Sequence, residues 1–156
     1  LITVSTQDYD LKEIYSVLQE TYTKQKTNIP YSFSFFERLV NESIKRNCGK
    51  LFIAKDDEEN INAVLFIVWD NLTCYNLIAG SKEKYKANDA ISLLVFCAMK
   101  YANSLNIKDY DMEGSMIKGV ERYFREFNGK QTPYLFISKY YSSFYKILRK
   151  IKHRKV

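Results

Sequence analysis

Asp111, Glu113 and Ser115 alternate through a short run that follows the strand-like stretch Ile107–Met112, and Arg122 and Arg125 come shortly after it. In an extended chain successive side chains point to opposite faces, so Asp111 and Glu113 fall on one face and Met112 on the other. Two carboxylates on one wall raise the pKa of one of them, which yields a general base suited to deprotonating an acceptor amine. Loops at strand ends are where a rigid sheet presents such groups. The same residues also have plain structural uses. Ser115 can cap a helix beginning near Ile117, Glu113 can pair with Arg122 or Arg125, and Gly114 can permit a tight turn.

Other chemistries find no support in the residues. Cys48, Cys74 and Cys97 are an odd set without CxxC spacing, and His153 is the only histidine, so neither a zinc site nor a disulfide framework is expected. Cys97 lies in an apolar helical run, the setting of a buried, inert thiol. No Cys–His or Ser–His set offers a nucleophile, so a covalent enzyme intermediate is not expected.

The elements that would position these groups follow from periodicity. Asp10-Leu11-Lys12-Glu13 reads as a capping box for a helix over 11–26, with Leu11, Ile14, Tyr15, Leu18 and Tyr22 at helical spacing. Ser34-Phe35-Phe36-Glu37 reads as a second, ahead of Leu39, Val40 and Ile44. Leu51–Ala54, Ile61–Trp69 and Thr73–Ala79, separated by turn residues, predict a three-stranded antiparallel meander. Ala90–Leu105 has the longest helical pattern, with Ile91, Leu94, Val95, Ala98, Ala102 and Leu105 on one stripe broadened by Leu93 and Phe96, and predicts a buried central helix. Strand, long helix and the strand 107–112 make a crossover that demands parallel pairing, so the sheet is mixed. A short helix over 117–127 and a last strand, Tyr134–Ile137, complete a single α/β (α+β) domain over 1–138.

A chain of 156 residues with 46% hydrophobic content can bury a core unaided, which excludes a disordered polymer. The net charge of +6 resides largely in a basic, aromatic tail over 139–156, and the domain body is nearly balanced. No basic face with stacking aromatics lies in the body, so DNA is not expected as a partner. The tail has the composition of a helix that lies on an anionic membrane, or of a terminal helix that packs one stripe on the domain. No membrane-span pattern or signal core is present, and the expected location is cytoplasmic. The first residue is Leu1 and not Met, which suggests a piece of a longer chain.

The run Asp111-Met112-Glu113-Gly114-Ser115-Met116, followed by Gly119-Val120-Glu121-Arg122-Tyr123-Phe124-Arg125-Glu126-Phe127, resembles the aspartate, glycine, serine and glycine-x-x-arginine-aromatic pattern of FemAB-like (BioF2-like) acyltransferases. Tyr75–Ser81, Tyr85 and Asn88-Asp89-Ala90 before a long helix resemble the same family's core, so the resemblance covers roughly 51–138. It implies a GNAT-like fold, the C-terminal half of a protein that can carry two such domains or act as a homodimer. It also implies acyl transfer from acetyl-CoA or another acyl-CoA to an amine or hydroxyl acceptor, small or lipid-linked, in cell-envelope or polysaccharide metabolism.

By that resemblance the donor's pyrophosphate would lie at Lys86, Ala87, Asn88 and Asp89, where a helix N-terminus favours an anion. This sequence lacks the glycine-rich loop expected there and adds the Asp89 carboxylate, while Lys82, Lys84 and Lys86 could compensate. Glu113 and Asp111 would be catalytic, with Tyr123 a substitute acid because Phe124 occupies the family's tyrosine position. Tyr85, Ser115 and Arg122 would contact substrate. Two alternatives stay open: an aminoacyl-tRNA donor, and a non-catalytic GNAT-like binding domain.

Overall fold

Residue alternation on two faces of one sheet organises the chain, as the computed structural model shows for residues 1–114 and 118–133 with Leu135, Ile137 and Lys139; the side chains of 86–88 fall outside that description. The strands are β1 (Thr3–Ser5), β2 (Gly49–Lys55), β3 (Ile61–Trp69), β4 (Thr73–Ser81) and β5 (Asp109–Asp111), and they lie in sequence order. β1 to β4 pair antiparallel and β4 pairs β5 in parallel. The helices are α1 (Leu11–Lys24), α2 (Phe33–Lys45), α3 (Ala90–Ser104) and α4 (Lys118–Glu126), with a 3-10 segment, Glu83–Asn88, between β4 and α3.

β3 is buried from both sides. Ala63, Leu65 and Ile67 join Phe52, Ala54 and Cys74 under Leu94, Val95, Ala98 and Ala102 of α3. Ile61, Val64 and Phe66 join Leu51 and Ile53 under Ile14, Val17 and Leu18 of α1 and Phe36 and Val40 of α2. Each such aliphatic or aromatic side chain contributes about 1.5–3 kcal/mol when withdrawn from water. This double burial is why the Ile61–Trp69 run reads as apolar throughout apart from Asn62.

The mixed sheet, meander and crossover match the expectation, with local corrections. Asp10 does cap α1, accepting from Lys12 N at 2.8 Å. The cap of α2 is Ser32 and not Ser34: Ser32 Oγ accepts from Phe35 N at 3.3 Å. β1 was not expected, because three half-exposed residues carry too short a pattern to distinguish from coil. β5 is shorter than 107–112 and stops at Asp111. The α3 stripe is one-sided, with Phe96 56% and Leu105 40% exposed, so the helix covers one face of the sheet and is not enclosed. Of the last expected strand, residues 134 and 136 lie outside the described residues, while Leu135 and Ile137 are exposed and in no strand. The expected tail helix lies at 140–156, also outside them.

Two glycines separate close packing from open surface. A Cβ on Gly49 would come 2.5 Å from the Ser43 Cβ and 3.1 Å from the Phe66 ring, whereas one on Gly119 in α4 would meet nothing within 4 Å. Gly49→Ala should therefore destabilise the protein by about 1–3 kcal/mol through forced repacking. Gly119→Ala should stabilise it by about 0.5–1 kcal/mol through helix propensity. Urea denaturation of the two variants checks both signs.

Candidate active site at the parting of two parallel strands

β4 and β5 stay together for only three registered pairs, Thr73↔Asp109, Cys74↔Tyr110 and Tyr75↔Asp111. Two local events then part them. β5 ends at Asp111, whose Oδ1 accepts from Glu113 N at 2.7 Å, and the chain turns through left-handed backbone at Glu113 (φ 62°) and Gly114 (φ 66°). β4 carries an extra residue: Phe66 pairs Ile78 but Val68 pairs Tyr75, so three steps on β4 oppose two on β3. Such a bulge bends its strand and raises the local twist. Among the described residues nothing pairs with the β5 side of β4 from residue 76 to 81, which leaves one backbone edge open there.

Asn76 stands at the mouth of the parting, one residue past the last pair. It is 8% exposed, its Oδ1 has no partner, and its Nδ2 reaches only the Met112 sulfur at 3.9 Å. Whichever way the amide is turned, one polar end is unsatisfied. Tyr110, on the same sheet face as Cys74, likewise has a buried hydroxyl without a partner. Burial, with smaller contributions from Cys74 and Tyr123, pushes its phenol far above the ordinary tyrosine value. Orphaned buried polar groups of this kind cost about 1–3 kcal/mol each. Cys74 is buried and its thiol is pushed up to about 11, so it is no thiolate nucleophile. Cys97 is only partly buried, not fully enclosed as its apolar run suggested.

Helix α4 crosses the start of α3. The Tyr123 hydroxyl lies 3.3 Å from Ser92 Oγ in the first turn of α3, and its ring meets Phe127 edge-on with centroids 5.2 Å apart. Burial first, then the Asp89 and Glu126 charges, raise the Tyr123 pKa against the lowering contact with Ser92. Its proton is therefore held at neutral pH.

The acidic pair is brought together, though not by strand alternation as expected. Glu113 lies beyond the strand in the turn just described, and there its carboxyl pKa is raised by burial and then by the charge of Asp111. Asp89 takes a left-handed backbone (φ 48°) before α3, its carbonyl accepting from Ser92 N and Leu93 N at 3.0 and 3.2 Å, and its side chain makes no cap. The expected phosphate position thus carries an exposed carboxylate on a backbone that glycine would adopt more readily.

Lys86, Ala87 and Asn88 lie in the 3-10 segment. Tyr85 accepts from Lys84 Nζ at 3.3 Å, and its hydroxyl is among the groups that hold the Asp56 carboxyl of the β2–β3 turn below its ordinary pKa. Arg122 points to solvent beside Glu126 at 3.8 Å and Arg125 pairs with Glu121, so neither meets Glu113 as the sequence allowed. Ser115 lies outside the described residues. Among the described residues no group of side chains could hold a metal.

Two helices, an antiparallel meander, a crossover helix and a parallel pair that parts at its C-terminal ends define an α/β domain of the acetyltransferase class. The chain belongs to the acetyltransferase (GNAT) domain family, whose profile matches residues 1–125.

Solved structures share the fold at low identity. AAC(6')-Iy in complex with the bisubstrate analogue CoA-S-monomethyl-acetylneamine superposes with TM-score 0.70 at 7% identity, covering 91% of this chain and 99% of that one. A predicted acetyltransferase with acetyl-CoA from Clostridium acetobutylicum gives 0.65 at 15% identity over 90% and 96% of the two chains. Glucosamine-6-phosphate N-acetyltransferase from Arabidopsis thaliana gives 0.61 at 11% over 91% and 99%. No curated protein sequence is a significant match.

Sequence reasoning missed Asn76, Tyr110 and Ser92 as parts of this site. Asn76 alone left a signal, a carboxamide inside an otherwise strand-like run. Tyr110→Phe should leave the melting temperature unchanged or raise it by a few degrees, since an unpaired buried hydroxyl is lost without a cavity. Differential scanning calorimetry reads this, and a clear drop would mean the hydroxyl has a partner.

Proposed function

We propose that this domain transfers an acyl group from an acyl-coenzyme A, acetyl-CoA in the simplest case, to an amine or hydroxyl acceptor. The open edge of β4 from 76 to 81, leading toward the N-terminus of α3, carries this reading, because it offers unpaired backbone to an extended amide-containing arm. The arm end of such a donor fits; the phosphate end fits less well, because Asp89 opposes an anion there. When bound, the donor supplies an activated thioester.

The chain's own residues would supply the rest. Glu113, its pKa raised beside Asp111, takes a proton from the acceptor nitrogen or oxygen, and Tyr123, still protonated, gives one to the leaving sulfur. The basic residues Lys82 and Lys84 would offset Asp89, with Lys86 beside them in sequence. Residues 1–138 would be the transferase unit and 139–156 an appendage able to meet an anionic surface. The run Asp111–Phe127 supports the finer placement among FemAB-like enzymes, a lipid-linked or cell-envelope acceptor and a cytoplasmic site of action. Among the described residues no helix is long and apolar enough to cross a membrane.

The Asp89 carboxylate favours one second reading, a donor not held by its pyrophosphate, such as an aminoacyl-tRNA, or a domain that binds without catalysis. Calorimetric titration with acetyl-CoA separates the two: saturable binding supports the first, and none by folded protein the second. Asp89→Gly should tighten acetyl-CoA binding several-fold, by removing a repelling charge and freeing a left-handed position.

Glu113→Gln and Tyr123→Phe should each lower kcat at least tenfold with folding intact. A base must be ionised to act, so kcat/KM should fall as pH drops through a pKa above the usual carboxylate range. Asp111→Asn, which removes the neighbouring charge, should move that acid limb to lower pH. A limb that does not move would separate Asp111 from Glu113 in the mechanism.

A further inference from the structure

We infer that Asn76 is the residue that recognises the donor arm, its side-chain carboxamide hydrogen-bonding a secondary amide of the acyl-carrying arm laid along the open edge of β4. This rests on the acyl-CoA reading above and assigns to it a specificity-determining side chain that the sequence did not single out.

Four observations converge on this residue. Asn76 is more than nine-tenths buried, yet its Oδ1 has no partner, and its Nδ2 has only a 3.9 Å contact with sulfur. It follows directly on Tyr75↔Asp111, the last pair before the strands part, so it stands where a ligand entering the gap would first meet β4. The extra residue on β4 between Tyr75 and Ile78 disturbs the strand at this point: Cys74, two residues before Asn76, packs in the α3 layer, whereas Ile78, two residues after it, packs against the α1–α2 layer. The parting is floored by Met112 and Tyr110, which offer Asn76 no oxygen or nitrogen partner among the contacts of the fold.

A carboxamide presents one donor and one acceptor side by side, the complement of a secondary amide, which presents the same two groups. A hydrocarbon chain would satisfy neither end, and a thioester carbonyl or a phosphate would satisfy only the donor. The arm of coenzyme A carries secondary amides, so the class of group that Asn76 fits is one the proposed donor contains. Asn62 gives the contrast. It too is fully buried with both amide ends unpartnered, but it lies in β3 between two paired strands, with no open edge beside it.

The test compares acetyl-CoA with an analogue whose arm amides are replaced by esters, titrated into the full chain and into Asn76→Leu, with Asn62→Leu as control. Wild type should prefer the amide form at least tenfold, since one well-made hydrogen bond is worth about that much and the open β4 backbone can add its own. Asn76→Leu should cut the preference about tenfold from the wild-type value, any remainder belonging to the β4 backbone, while its melting temperature is unchanged or raised, and Asn62→Leu should keep the wild-type preference. Asn76→Ala carries the same comparison if the leucine variant does not fold.

Equal loss of affinity for both ligands, or an undiminished preference in the Asn76 variants, would overturn the assignment while acetyl-CoA binding by wild type left the transferase reading standing. No acetyl-CoA binding by folded wild type would overturn both.

Discussion

The parting of β4 and β5 is the constraint on which the rest of the structure depends. A parallel pair must be joined by a crossover, so α3 is obliged to run back across the sheet and to begin at the same end where the two strands stop. Once β5 turns away at Asp111 and β4 bends at its extra residue, a gap opens beside the first turn of α3. The Asp111–Glu113 turn and Asn76, which reaches the Met112 sulfur, flank the gap, and Tyr123 meets Ser92 and the charge of Asp89 at the start of α3.

The two hydrophobic layers make that gap tolerable. β3 is packed from both faces, and β2 and β4 flank it, so the sheet's centre is rigid without help from the β4–β5 pairing. A domain that relied on a full-length β4–β5 ladder would close the cleft it needs. Unpaired edge, orphaned carboxamide and strained turn are stability losses of the kind that concentrate at functional sites.

Local electrostatics in this edge divide into two kinds. Glu113 and Tyr123 both have raised pKa values with burial as the first cause, which makes the Glu113 carboxylate a stronger base and leaves Tyr123 a phenol that keeps its proton. That is the complement an acid–base pair requires. Asp89 works the other way, because a carboxylate at a helix start opposes the anion that the helix itself would attract. An uncharged group and an anion would therefore meet different electrostatics at the start of α3.

Sequence by itself determined the helices, the three-strand meander and the crossover, because each is written in a period of 3.6 or 2 over enough residues to be read. It also offered Asp111, Glu113 and Tyr123 as candidates, because loops at strand ends are where a rigid sheet presents chemistry. Only the tertiary structure decided how they meet. A bulge is a mismatch between two strands and has no meaning in either alone, so neither the bend of β4 nor the exposure of its edge could be read from Thr73–Ser81. The burial of Asn76, the approach of Tyr123 to Ser92 and the outward swing of Arg122 depend likewise on where α3 and α4 settle. Those distances are fixed by packing across residues far apart in the chain, which no local pattern records.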